Sequence, residues 1–251
     1  MDINLELITA APVETALLGL CIFIAGVVRG CVGFGFSALV VASASLFIHP
    51  VLIIPMLVLL ELAASLHMLR GVWHEVAWKL LLTMALGVLV TTPVGVYILS
   101  IAPEALLRLL LSLSILVLAL LLASGYVYHG PLSRPVLVGV GAISGLFNGV
   151  AAIGGMPVAI FLAAANLSVA RIRATMVVFL FTIGIMFVAS GIVGGIYSGA
   201  IVTSFGVALL PMALGIALGT RLYHRLDDRV LRRVVLWVLV LLAVIGVVRA
   251  L

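Results

Sequence analysis

Apolar residues occur in long runs punctuated by short polar clusters, a pattern that predicts helices packed side by side in a membrane. Crossing a hydrocarbon core of about 30 Å takes roughly 17 to 25 apolar residues in a helix. Runs of that length are predicted at about 51–69, 80–99 and 105–123, and again at about 175–193, 201–220 and 230–248. Two pairs of shorter runs precede them: Thr15 to Val28 with Phe36 to Ile48, and Val136 to Phe147 with Met156 to Ala165. Each pair predicts two half-length helices joined at a break.

Both breaks are rich in glycine. The first reads Gly26-Val27-Val28-Arg29-Gly30-Cys31-Val32-Gly33-Phe34-Gly35, and the second holds Gly145, Asn148, Gly149, Gly154 and Gly155. They are in register, because 145 − 26, 149 − 30 and 154 − 35 all give 119. The later spans correspond as well, with Thr92-Pro93-Val94-Gly95 against Ile216-Ala217-Leu218-Gly219, and Glu104 before Leu107-Arg108 against Asp228 before Leu231-Arg232. The chain therefore divides into two repeats, 1–125 and 126–251, each a half-helix pair followed by three spans. A repeated backbone interruption in a hydrophobic chain points to a transporter's binding site.

Composition supports an all-α integral membrane protein. The chain is 66% hydrophobic and 8% charged, too little polar surface for a soluble domain of 251 residues. Its net charge of +5 does not indicate nucleic acid, because the basic residues sit in short loops, where they set membrane orientation. The group Arg221, Arg225, Arg229, Arg232 and Arg233 belongs inside, with Asp227 and Asp228 among it. Counting back places the uncharged Ile196 to Ala200 outside and Arg171 with Arg173 inside. Arg70 and Lys79 are also inside, and the acidic N-terminus, with Asp2, Glu6 and Glu14, is outside and lacks the basic start of a signal peptide. These placements agree only if each short pair enters and leaves on one side. That predicts inverted-topology repeats, with both termini outside.

A re-entrant tip leaves backbone N–H groups that lipid cannot satisfy, so it must be enclosed by protein or line a wet cavity. Glycine permits positive φ and close approach of a ligand. The second half-helices begin at about Phe34 to Ser37 and Gly154 to Pro157, with Pro157 suited to a first helical turn. Two helix N-termini, each with about half a positive charge, then face a shared anion site. Gly26 with Gly30, and Gly145 with Gly149, are also small-residue faces for helix packing, and the two roles can coexist.

Arg29 and its counterpart Asn148 are the polar side chains in the clusters. Glu61 lies inside a span, and its counterpart is Leu180. An ionisable group at membrane depth faces a cavity or a partner, so Glu61 is either a carrier of a coupling proton or cation, or the counter-charge to Arg29. Ser65 follows one turn later and His67 approaches the inner end of the span, both as packing or interfacial groups. His49, His74, His129 and His224 lie in loops without metal-ligand spacing. Cys21 and Cys31 read as small buried hydrophobes, and Trp73, Trp78 and Tyr223 as interface markers. Lys79 is the sole lysine, so no phosphate-binding loop exists, and no cofactor is implied.

The stretch from Ala25 to Phe36 resembles the first glycine motif of the sulfite exporter TauE/SafE family of membrane permeases. Ser144 to Gly149, then Ile153-Gly154-Gly155-Met156-Pro157 and Arg173-Ala174-Thr175, resemble its paired motif and trailing arginine. One departure is Ser37-Ala38-Leu39 after Phe36, where the family often has another glycine and a proline. The resemblance implies a carrier in the bacterial inner membrane that exports small sulfur-containing or organic anions such as sulfite, sulfoacetate or other sulfonates. The expected substrate-binding residues are Arg29, Gly30, Gly33, Phe34, Gly35, Phe36 and Ser37 in the first half, with Asn148, Gly149, Gly154, Gly155, Met156 and Pro157 in the second, and Glu61 and Arg173 are expected as coupling or counter-charge groups. The alternative is an anion channel built on the same paired re-entrant helices. An enzyme is disfavoured because Ser, His and carboxylates do not converge on a catalytic pattern.

Overall fold

The computed structural model describes residues 12–32, 35–125, 128–162, 165, 167–223 and 228–250. Regular structure among them is entirely helical. Five helices form the first half: α1 (Pro12–Val32), α2 (Phe36–Ala44), α3 (Pro50–Val72), α4 (Trp78–Ile101) and α5 (Glu104–Ala123). Five more follow: α6 (Arg134–Ala151), α7 (Gly155–Leu162), α8 (Val169–Val193), α9 (Gly199–Tyr223) and α10 (Asp228–Ala250). Helices α1, α4, α5, α6, α8 and α9 are long and apolar enough to cross a membrane. Shorter apolar stretches, Pro50–Leu66 and Trp237–Val248, lie in α3 and α10.

Local chemistry sets several boundaries. The His49 imidazole accepts the Val51 N–H at 3.2 Å and Pro50 fills the first turn of α3, where a missing donor costs nothing. Ser168 caps α8 by accepting the Arg171 N–H at 3.3 Å. Between α3 and α4 the chain makes a short 3-10 turn, Trp73–Glu75, where Trp73 meets Trp78 edge-on with ring centroids 4.6 Å apart.

The two halves share one order of long and short helices. Subtracting 119 from the bounds of α6, α7 and α8 gives 15–32, 36–43 and 50–74, close to those of α1, α2 and α3. The offset drifts only in α9 and α10. One expectation needs correction: α1 has 21 residues and α6 has 18, so neither is a half-length helix. Gly26, Gly30, Gly145 and Gly149 do not break the backbone. They lie inside the helices, where the cost of about 1 kcal/mol per helical glycine is offset by close packing.

That packing joins the halves crosswise. Gly26 of α1 lies against Met212 and Gly215 of α9, and Gly30 lies against Ile216 and Gly219, so the two helices run parallel. In the same way Gly87 and Gly95 of α4 meet Gly141 and Gly149 of α6, also in parallel. A Cβ at Gly26 would stand 2.9 Å from the Met212 carbonyl oxygen, and one at Gly149 would stand 2.6 Å from that of Thr92. Helices α3 and α8 pack antiparallel, with Leu62 against Gly184 and the Ala77 N–H donated to Thr175 Oγ1 at 2.9 Å.

The outer faces of α4 and α9 carry exposed Leu86, Val90, Tyr97, Val207, Leu210 and Leu214, a surface suited to lipid. The short helices are enclosed. Every residue of α2 except Ser43 is buried, and Phe36, Val40, Ile54, Leu57 and Ile153 belong to one apolar core with it. A second core gathers Val158 of α7 with Phe179, Leu180 and Ile183 of α8. Protein therefore surrounds the backbone of the short helices, as a bilayer requires of broken helices.

Candidate functional site

A residue with positive φ lies in the break before each short helix. Gly35 has φ 89° and precedes α2 without a side-chain cap. Across the fold, Ala152 ends α6 with φ 55°, a left-handed conformation that costs an L-residue about 1 to 2 kcal/mol. The first intrahelical bond of α2 runs from the Leu39 N–H to the Gly35 carbonyl at 3.0 Å. The N–H groups of Phe36, Ser37 and Ala38 thus precede the ladder and keep the positive end of the helix dipole.

Both breaks open on one cavity. Its walls are Gly35, Ser37 and Ala38 of the first break, Ala152, Ile153, Gly155 and Met156 of the second, and Glu61 and Leu180 from the long helices. It is a small cavity of about 20 Å³, enough for a water molecule. Its depth follows from α3: 61 − 50 and 72 − 61 both give 11, so Glu61 is the midpoint of that helix. Leu180 is close to the middle of α8.

Polar groups are few and deeply placed. Arg29, 4% exposed, donates from Nη1 to Glu61 Oε1 at 3.2 Å and from Nη2 to Ser65 Oγ at 3.5 Å. Arg29 is absent from the cavity wall whereas Glu61 is part of it, so the carboxylate stands between the guanidinium and the cavity. Ser37 turns its backbone and hydroxyl toward the same carboxylate, yet its Oγ makes no hydrogen bond of regular geometry. Nearby in the second half, Ser144 Oγ and Asn148 Nδ2 are buried without hydrogen-bond partners. Unpaired buried polar atoms are rare, and each calls for a partner.

The structure brings Gly35, Ser37, Gly155, Met156 and Glu61 together. Gly33 and Phe34 lie outside the described residues. Gly30 and Gly149 face α9 and α4, and Gly154 serves the approach of α7 to α6, since a Cβ there would stand 2.6 Å from the Ser144 carbonyl oxygen. Phe36 and Pro157 are buried in the packing behind the wall. Arg173 is exposed near the start of α8 and does not line the cavity. Asp2, Glu6, His224, Arg225 and Asp227 are outside the described residues, as are the side chains of His67, Arg70, Tyr223, Arg229, Arg232 and Arg233.

Sequence reasoning did not single out Ala38, Ala152 or Ile153, and it read Leu180 only as the counterpart of Glu61. Ala152 did carry a signal, because 152 − 119 is 33 and Gly33 holds that place in the first half. Among the described residues, no three His, Cys, Asp or Glu side chains come together to hold a metal.

A family model for the sulfite exporter TauE/SafE matches residues 18–245, which spans both glycine clusters and nearly the whole chain. No curated protein and no solved structure matches the chain significantly. The protein is a member of the sulfite exporter TauE/SafE family, whose members are membrane transporters.

Proposed function

We propose that the protein is a secondary carrier of small sulfur-containing or organic anions, such as sulfite, sulfoacetate or other sulfonates, and that the anion binds between the N-termini of α2 and α7. The observation that carries this reading is the mid-span cavity, walled by both breaks, with Ser37 at the start of α2 among its lining residues. N–H groups that precede the helical ladder and the positive ends of two helix dipoles favour a negative charge there. Gly35, Ser37, Gly155 and Met156 would touch the anion, and Arg29 would supply charge from behind Glu61.

Inverted repeats, 1–125 and 126–251, fit the helix directions. Helix α1 is parallel to α9, α6 is parallel to α4, and α3 is antiparallel to α8. The short turns after α3 and α8 reverse the chain, so α1 and α6 point in opposite directions. The exposed Arg171, Arg173 and Arg221 then share one side, the cytoplasmic side of a bacterial inner membrane, and both termini lie outside. Glycine contacts leave no room for sliding between α1 and α9 or between α4 and α6. Alternating access would therefore move each parallel pair as a unit and open the cavity to one side at a time.

Purified protein in liposomes loaded with sulfite or a sulfonate tests this. Saturable uptake that is accelerated by anion on the opposite side supports a carrier, and unsaturable single-channel currents support a channel instead.

A further inference from the structure

We infer that Glu61 is the coupling group of this site, and that one proton enters with each anion. This rests on the anion-carrier reading and adds how the site handles charge. Glu61 is 8% exposed and forms part of the wall beside the start of α2. Arg29 reaches only Oε1, at 3.2 Å, in a single rather than a bidentate contact. With Glu61 ionised, the Arg29 charge is neutralised before it reaches the cavity, and an anion entering would sit against a carboxylate in a poorly hydrated space. Such like-charge juxtaposition disfavours entry.

Protonation removes that conflict. A proton from water, on the side to which the cavity is open, forms an O–H bond at Oε2. The anion then meets an O–H donor at Glu61, the start of α2 at Ser37, and the charge of Arg29, no longer cancelled. After the cavity opens to the other side, the anion departs, the O–H bond breaks, the proton passes to water and the carboxylate pairs again with Arg29. The net step moves one anion and one proton in the same direction.

The surroundings of Glu61 fix the count at one. The charged group facing it among the described residues is Arg29 of α1. Ser37 of α2 and Ser65 of its own helix are neutral, and the second half offers Ala152, Ile153, Gly155, Met156 and Leu180. Leu180 holds the place equivalent to Glu61, so the site has one carboxylate rather than a symmetric pair.

Calorimetric titration of the purified protein with methanesulfonate, and separately with sulfate, tests the inference, because neither anion changes protonation near neutral pH. Titrations in two buffers of different ionisation enthalpy count the protons taken up. The expected count is about one per anion for the unaltered protein and near zero for a folded Glu61→Gln variant. A heat that is independent of buffer in the unaltered protein overturns the inference while leaving the carrier reading intact, and this arm needs no variant to fold. Equal proton uptake by a folded Glu61→Gln variant also overturns it. If sulfite alone binds, its own protonation is subtracted from the count. Failure of all three anions to bind overturns the carrier reading itself, and the coupling inference with it.

Discussion

Glu61 and Leu180 line the same mid-span cavity, and 180 − 61 gives the offset of 119 that relates the two glycine clusters. One half thus contributes a carboxylate where the other contributes a methyl-bearing side chain. Arg29 and Asn148, also 119 apart, repeat the asymmetry, and Arg29 pairs with Glu61. Charge in this site is concentrated in the first half.

Removing one member of that pair should be more harmful than removing both. Arg29→Ala leaves a buried, unpaired carboxylate, and loss of one partner of a buried pair costs about 3 to 5 kcal/mol. The double variant Arg29→Asn with Glu61→Leu makes the first half resemble the second and should recover most of that stability. Thermal unfolding in detergent, followed by tryptophan fluorescence, checks the order. A double variant no more stable than Arg29→Ala would contradict it.

The glycines divide into two classes that stability should distinguish. Gly30→Val drives a side chain into the Ile216 carbonyl and the backbone of Gly219, so it should lower yield and cost at least the 1 to 3 kcal/mol typical of overpacking. Gly155→Ala meets only flexible side-chain tips, Leu180 at 3.0 Å and Met176 at 3.6 Å, and should fold with little loss while weakening anion binding several-fold. Expression level and binding, measured on both variants, separate packing from site.

Single cysteines report topology. Cys31 is buried, with its Sγ donated to the Gly219 carbonyl at 3.1 Å, so both native thiols are first replaced, as Cys21→Ala and Cys31→Ser. Inverted repeats place Ser133 and Ser168 inside and Ser100 and Gly199 outside, and all four are exposed. A membrane-impermeant maleimide applied to cells should label cysteines at 100 and 199 and spare those at 133 and 168. Labelling of 133 from outside would rule out this arrangement.

Much of this architecture was legible from residue order because a membrane leaves few options. Four of the six predicted spans, in α4, α5, α8 and α9, and the two short helices α2 and α7 followed from apolar run length, and the start of α2 and α7 followed from Gly35 and Gly155. The length of α1 and α6 did not. Gly26, Gly30, Gly145 and Gly149 read in sequence both as an interruption and as small-residue packing faces, and the facing backbone of α9 and α4 shows packing in a helix that continues through them. The pairing of Arg29 with Glu61 was one of two readings for Glu61. That Glu61 also walls the cavity needed the fold, because the residues opposite it, Ala152 and Ile153, carry no chemistry of their own.

The most direct test concerns the cavity itself. Equilibrium binding of sulfur-35-labelled sulfite to purified, correctly folded protein should saturate, and it should be lost when Gly35→Val and Gly155→Val are combined to fill the cavity from both breaks. Unchanged binding by a folded double variant would contradict an anion site between the N-termini of α2 and α7.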